Sequence, residues 1–176
     1  MNETKNLRQS WQADGTEWTE QQMQEAAQQA ISISDMHLAI DISKTALDRF
    51  GPHPTSQYYQ ALAYANCGSR DEVFRLMDTL IETVAESDAI YTDALSLLGR
   101  LEKDRFIRAN EGSMKDTALA NALEAYKDAY DITGGSFPGI NAATLFLLAD
   151  AKEQSREIAV AIMAELIQLR RGLPAS

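Results

Sequence analysis

The sequence predicts an all-α fold of about four antiparallel helix hairpins stacked as a helical-repeat solenoid. Three observations predict it. Alanine, leucine, glutamine and glutamate are plentiful, β-branched runs are scarce, and only four prolines and nine glycines punctuate the chain, so local propensity favours helix. Between those punctuation marks the apolar residues recur at i, i+3, i+4 and i+7, the period of a helix with one buried face. The faces themselves then recur at a fixed interval.

Residues 1–18 are polar, with Trp11 and Trp18 as the large apolar groups. They read as a loose or weakly helical arm that folds an indole onto a repeat domain covering 19–172. Thr19 opens the first strongly periodic helix, with Gln22 in the capping-box position and Met23, Ala26, Ala27, Ala30 and Ile31 on one face. The second helix starts at Ser34, with Met36, Ala39, Ile40, Ser43, Ala46, Leu47 and Phe50 expected inward; Gly51, Pro52 and Pro54 stop it. The third runs from about Thr55 to Asn66 and ends at Gly68. The fourth, from about Asp71 to Val84, turns Val73, Leu76, Met77, Leu80, Ile81 and Val84 inward. Asp88 opens a long fifth helix carrying Tyr91, Ala94, Leu95, Leu98, Leu101 and Phe106. After the Asn110–Ser113 turn, the sixth carries Leu119, Ala122, Leu123, Tyr126, Ala129 and Tyr130. Gly134, Gly135 and Pro138 are expected to break the chain before a seventh helix over about Ile140–Ala149 and an eighth over about Gln154–Arg171.

Eight helices with short connections make four hairpins. Ala27 recurs as Ala61, Ala30 as Tyr64, Ser34 as Gly68, Ala39 as Val73, Ser43 as Met77 and Ala46 as Leu80, each pair 34 residues apart. That is the tetratricopeptide period, in which small residues on the first helix let the second pack close. The pattern returns as Ala122-x3-Tyr126-x2-Ala129 and as Ala159-x3-Met163-x2-Leu166. Between the second and third repeats the spacing stretches, Val73 to Ala122 being 49 residues, and an extended fifth helix plus a loop absorbs the extra length.

The net charge of −10 and pI near 4.6 argue against nucleic acid or anionic lipid as a partner, because phosphates need a basic surface. Cys67 is the only cysteine, so no internal disulfide forms and a reducing, cytoplasmic setting is expected. The first residues lack the basic and apolar regions of a signal peptide, and no apolar run reaches a membrane-spanning length of roughly 18 residues. His37 and His53 stand apart without a second ligand at metal spacing. Glu102, Asp104, Glu124 and Asp128 imitate a carboxylate metal site but lack a Glu-x-x-His pair. No phosphate loop or nucleophile elbow occurs. The expectation is a non-catalytic chain without cofactor or metal.

Three segments are more specific than generic repeats: Leu97-Leu98-Gly99-Arg100-Leu101-Glu102-Lys103-Asp104, Ala122-Leu123-Glu124-Ala125-Tyr126-Lys127-Asp128-Ala129-Tyr130, and Pro138-Gly139-Ile140-Asn141-Ala142-Ala143-Thr144-Leu145. In this order they resemble the TRAF-binding regulatory domain of the apoptosis signal-regulating kinases and its prokaryotic relatives. The resemblance covers about residues 90–170 and implies a scaffold that docks partners and regulates an effector, with no catalytic activity of its own.

Placing Gly99 at the small-residue position of the third repeat puts Arg100, Lys103 and Asp104 on the inner side of their helix, as a cationic anchor for a partner's carboxylates or as a helix-surface ion pair. Tyr58, Leu62 and Asn66 take the equivalent positions of the second repeat, and Gln21, Gln24 and Gln28 those of the first. Amides and a tyrosine there suit a protein or peptide partner. Asn141 is expected to cap or tie down the turn that opens the seventh helix. The alternative reading is a sensor whose groove takes a small ligand or peptide and switches a fused or separate effector. A homo-oligomer is compatible with either.

Overall fold

The computed structural model describes residues 3–172, and every regular element among them is helical. The helices are α1 (Glu3–Asp14), α2 (Glu20–Ser32), α3 (Met36–Phe50), α4 (Pro54–Cys67), α5 (Arg70–Thr83), α6 (Ala89–Arg108), α7 (Ser113–Thr133), α8 (Ser136–Leu148) and α9 (Lys152–Gly172). A 3₁₀ turn at Gly15–Glu17 joins the first two. The eight helices expected from the sequence are α2 to α9. The chain divides into two compact units, up to Ala94 and from Leu95 onward.

In the first unit α2 pairs with α3, α3 with α4, and α4 with α5. Thr19 and Gln22 form the full capping box that starts α2, a device worth about 1 kcal/mol. Met23, Ala27, Ala30, Ala39, Ile42, Ala46 and Ala63 are almost completely buried in one cluster. Alanines dominate because a methyl side chain lets two helix backbones approach closely, while Met23 and Ile42 fill the remaining volume at about 1.5–3 kcal/mol each. Leu7 of α1 is buried in the same cluster, against which the indoles of Trp11 and Trp18 also pack. Arg8 holds both oxygens of Asp35 at 2.7 Å, and Trp11 Nε1 donates to Asp41 Oδ2 at 2.9 Å.

Two expectations for α3 are corrected. Its cap is Asp35, whose carboxylate accepts from Leu38 N–H at 3.2 Å, and Ser34 lies in the preceding turn with φ +62°. Its buried arc runs through Leu38 and Ile42, while Phe50 is 43% exposed, its ring beneath the Arg49 guanidinium. α3 packs against α2 and α4, so its buried arc is wide enough to take in Leu38 and Ile42. Phe50, on the same face as Ala39 and Ala46, is the last residue of the helix and lies beyond their cover.

In the second unit α7 pairs with α8, and α8 with α9. Pro138 does not break the chain: α8 starts at Ser136 and holds Pro138 in its first turn. A first-turn N–H has no intrahelical partner, so proline's missing donor costs nothing there. Tyr126 and Leu145 are completely buried. The fourth repeat departs from the third. Ala122, Tyr126 and Ala129 are buried, whereas their counterparts Ala159, Met163 and Leu166 on α9 are exposed.

Candidate binding surface

The three motif segments are brought together on α6, α7 and α8 of the second unit. Two glycines explain how. A Cβ on Gly99 would lie 2.7 Å from the Tyr126 ring, and a Cβ on Gly139 would lie 2.6 Å from the Tyr130 ring. Both distances are inside van der Waals contact, so each glycine is the seat of a tyrosine from the middle motif. A glycine inside a helix costs about 1 kcal/mol relative to alanine; burial of an aromatic ring offsets it.

Polar wiring crosses the same seam. Lys103 Nζ donates to Asn141 Oδ1 at 2.7 Å, and Asn141 Nδ2 donates to the Phe137 carbonyl at 2.9 Å. Asn141 therefore sits inside α8 and bridges to α6 rather than capping its start. The Lys103 ammonium also lies 5.5 Å from the centroid of the Tyr126 ring, within cation–π range. Phe137 meets that ring edge-on at 6.2 Å. The Tyr126 hydroxyl is buried with no hydrogen-bond partner among the described residues. Burial is the main cause that pushes its pKa up to about 12; the Asp104 charge adds to the rise and Arg100 opposes it. Lys103 thus lies over the ring and is held by an internal bond, while Arg100 and Asp104 act on the hydroxyl through their charges; all three residues are half-buried.

Beside them Glu102 is only 4% exposed. Its Oε1 accepts from Arg105 at 2.9 Å, while Oε2 has no partner among the described residues. No group of three His, Cys, Asp or Glu side chains among the described residues could hold a metal ion.

In the first unit, Tyr58 and Leu62 of α4 are half-buried and Asn66 is exposed. The Tyr58 and Tyr59 rings lie 5.8 Å apart, and Asn66 Nδ2 approaches Met36 Sδ at 3.6 Å. Sequence reasoning passed over Tyr59 and Asp93. Burial raises the Tyr59 hydroxyl pKa, with Asp93 contributing, and burial alone raises Asp93. Gln24, expected on the displayed face, is buried. Its Nε2 lies 3.1 Å from His53 Nδ1 and 3.5 Å from Ser56 Oγ. His53 Nδ1 also accepts from Thr55 N–H at 3.2 Å, so this trio caps α4 and locks it to α2. Gln21 pairs with Glu25 and, like Gln28, is exposed.

A family model described as tetratricopeptide repeats-sensor matches residues 35–146, more than half of the chain. The chain belongs to the tetratricopeptide repeats-sensor family. The match spans all three motif segments and the second repeat. No curated protein sequence matches the chain. In structure it is similar to the thermophilic TPR protein TTC0263 of Thermus thermophilus, with 16% identity and a TM-score of 0.69 over 83% of this chain and 74% of that one. It is similar to MamA of Desulfovibrio magneticus RS-1, with 13% identity and a TM-score of 0.64 over 96% of this chain and 84% of that one. It is also similar to human IFIT1, a dimer with m7Gppp-AAAA, with 15% identity and a TM-score of 0.67 over 86% of this chain and 34% of that one. At such identities the likeness establishes the helical-repeat fold alone. No helix among the described residues is long and apolar enough to cross a membrane.

Proposed function

We propose that this chain is a non-catalytic, cytoplasmic regulatory module that docks a protein or peptide partner. Arg100 and Lys103 receive the partner's acidic group beside Asp104. In the first unit, Tyr58, Leu62 and Asn66 offer a partner apolar and amide contacts of their own. The observation that carries the reading is the fixed Lys103: a lysine held by Asn141 and by the Tyr126 ring has lost much of its rotamer freedom before any partner arrives. Binding then costs less ordering entropy, and the ammonium still has further N–H donors to offer. On a chain of net charge −10, a local cationic pair is where an anionic group gains attraction instead of repulsion. The resemblance to the TRAF-binding regulatory domain extends the reading to control of an effector, fused or separate.

A second reading, a sensor for a small ligand, is favoured by the family's description and by the buried Tyr126 hydroxyl that lacks a partner. Affinity capture from the source cells, comparing the wild type with the Arg100→Ala/Lys103→Met double variant, separates them. Methionine keeps the lysine's apolar stem over Tyr126, so the fold survives. The docking reading expects a captured protein whose recovery falls about tenfold in the variant and also falls with salt. Equal recovery from wild type and variant overturns the assignment of the site. A small molecule that copurifies and is lost with Tyr126→Phe favours the sensor.

A further inference from the structure

Helix α9 presents a stripe that the proposed function leaves unused. Glu153, Arg156, Val160, Met163, Ile167 and Arg170 follow one another at spacings of three and four residues, the a/d pattern of a coiled-coil seam. All six are exposed, the three apolar ones at 57%, 62% and 48%. Ile162, on the opposite side, is the buried residue of α9. Next to the stripe, Ile140, Ala143 and Leu147 of α8 with Ala159 and Leu166 of α9 line an apolar groove of about 390 Å³.

We infer that the occupant of this stripe is a second copy of the chain, and that two α9 helices pair antiparallel about a two-fold axis. The stripe is self-complementary in one register. Val160 stands opposite Met163 of the partner subunit, the Arg156 stem lies over the partner's Ile167, and Glu153 meets the partner's Arg170. A two-fold repeats each of these contacts, so an apolar centre is closed at both ends by opposite charges. Sliding by one heptad in one direction sets Val160 against an arginine, and in the other sets Glu153 against a methionine. A parallel pair would oppose glutamate to glutamate and arginine to arginine. Charge also favours this helix over the rest of the surface. α9 carries four basic and three acidic residues on a chain of net charge −10, so it is where two copies repel least.

The inference goes beyond the docking reading and is tested without the partner, by sedimentation equilibrium of the full chain over a wide concentration range. A mass rising toward twice 19.5 kDa is expected. Val160→Glu with Met163→Glu should leave a monomer with unchanged helix dichroism, since both side chains are exposed. Arg170→Glu alone should weaken association at least about tenfold, and adding Glu153→Arg should restore it to within about threefold, because the swapped pair again has opposite signs. A monomer at every concentration overturns the inference. So does a dimer indifferent to the glutamates, or one that the double charge reversal fails to rescue.

Discussion

The two units solve the same packing problem with different chemistry. In the first, alanines fill the seams between helices, and a polar trio crosses from α2 to α4: Gln24 bonds His53 and Ser56, and His53 accepts from the backbone. The buried Ser43 hydroxyl has no partner among the described residues. In the second, the seams are glycine against tyrosine, and among the described residues a buried tyrosine hydroxyl and a buried glutamate oxygen also lack partners. Unsatisfied buried groups cost about 1–3 kcal/mol each. A repeat needs only the first arrangement to stack. The second adds aromatic bulk and charge around Lys103, the difference on which the proposed docking rests.

The largest test of this contrast is Gly99→Leu against Gly68→Ala. Leucine at 99 has to displace the Tyr126 ring, and overpacking of that kind costs about 1–3 kcal/mol or more. Gly68 has φ +81° and open space around it, so alanine there meets only the left-handed backbone cost of about 1 kcal/mol. Urea unfolding followed by dichroism should show the larger midpoint shift for Gly99→Leu. Equal shifts would remove the close-approach argument.

A smaller effect should appear in alkali. The Tyr126 pKa is raised to about 12 in the folded chain from about 10 unfolded. A pKa raised by folding contributes stability that is present below pH 10 and is lost as pH climbs toward 12. The loss is on the order of 2 kcal/mol. Tyr126→Phe should abolish that part of the decline, read from denaturation midpoints across the window. A variant with the same alkaline slope as wild type would place the titration elsewhere.

The smallest expected change sharpens the other side of the comparison. Gln24→Ala removes the amide that joins His53 and Ser56, and should cost about 1 kcal/mol while leaving partner capture through Lys103 untouched. A variant that loses capture as well would show that the first unit's polar trio serves binding and not only packing.

Local signals were legible and distant ones were not. The capping box at Thr19, the αL glycines at Gly68 and Gly134 and the 34-residue spacing depend on residues close in sequence or on a fixed period, so the helices fall where those signals put them. The start of α8 escaped because proline was read as a breaker without asking whether it could occupy a first turn. Leu38 and Ile42 were passed over because a single apolar stripe was drawn for a helix that packs on two sides. The motif segments of the candidate site were visible as words. Their grammar was not: the bond from Lys103 to Asn141 spans 38 residues, and a buried glutamine reads in sequence as surface.

The paired indoles near the N-terminus have a practical consequence. Trp11 and Trp18 pack edge to face with centroids 5.4 Å apart, and they are the chain's only tryptophans. Tryptophan emission is therefore a reporter confined to the first unit, and the second is dark at that wavelength. Dichroism, which sums every helix, sees both. Following one denaturation with the two probes turns an accident of residue placement into a measure of cooperativity: superimposed curves mean that the units melt as one, and separated curves resolve the stability of each.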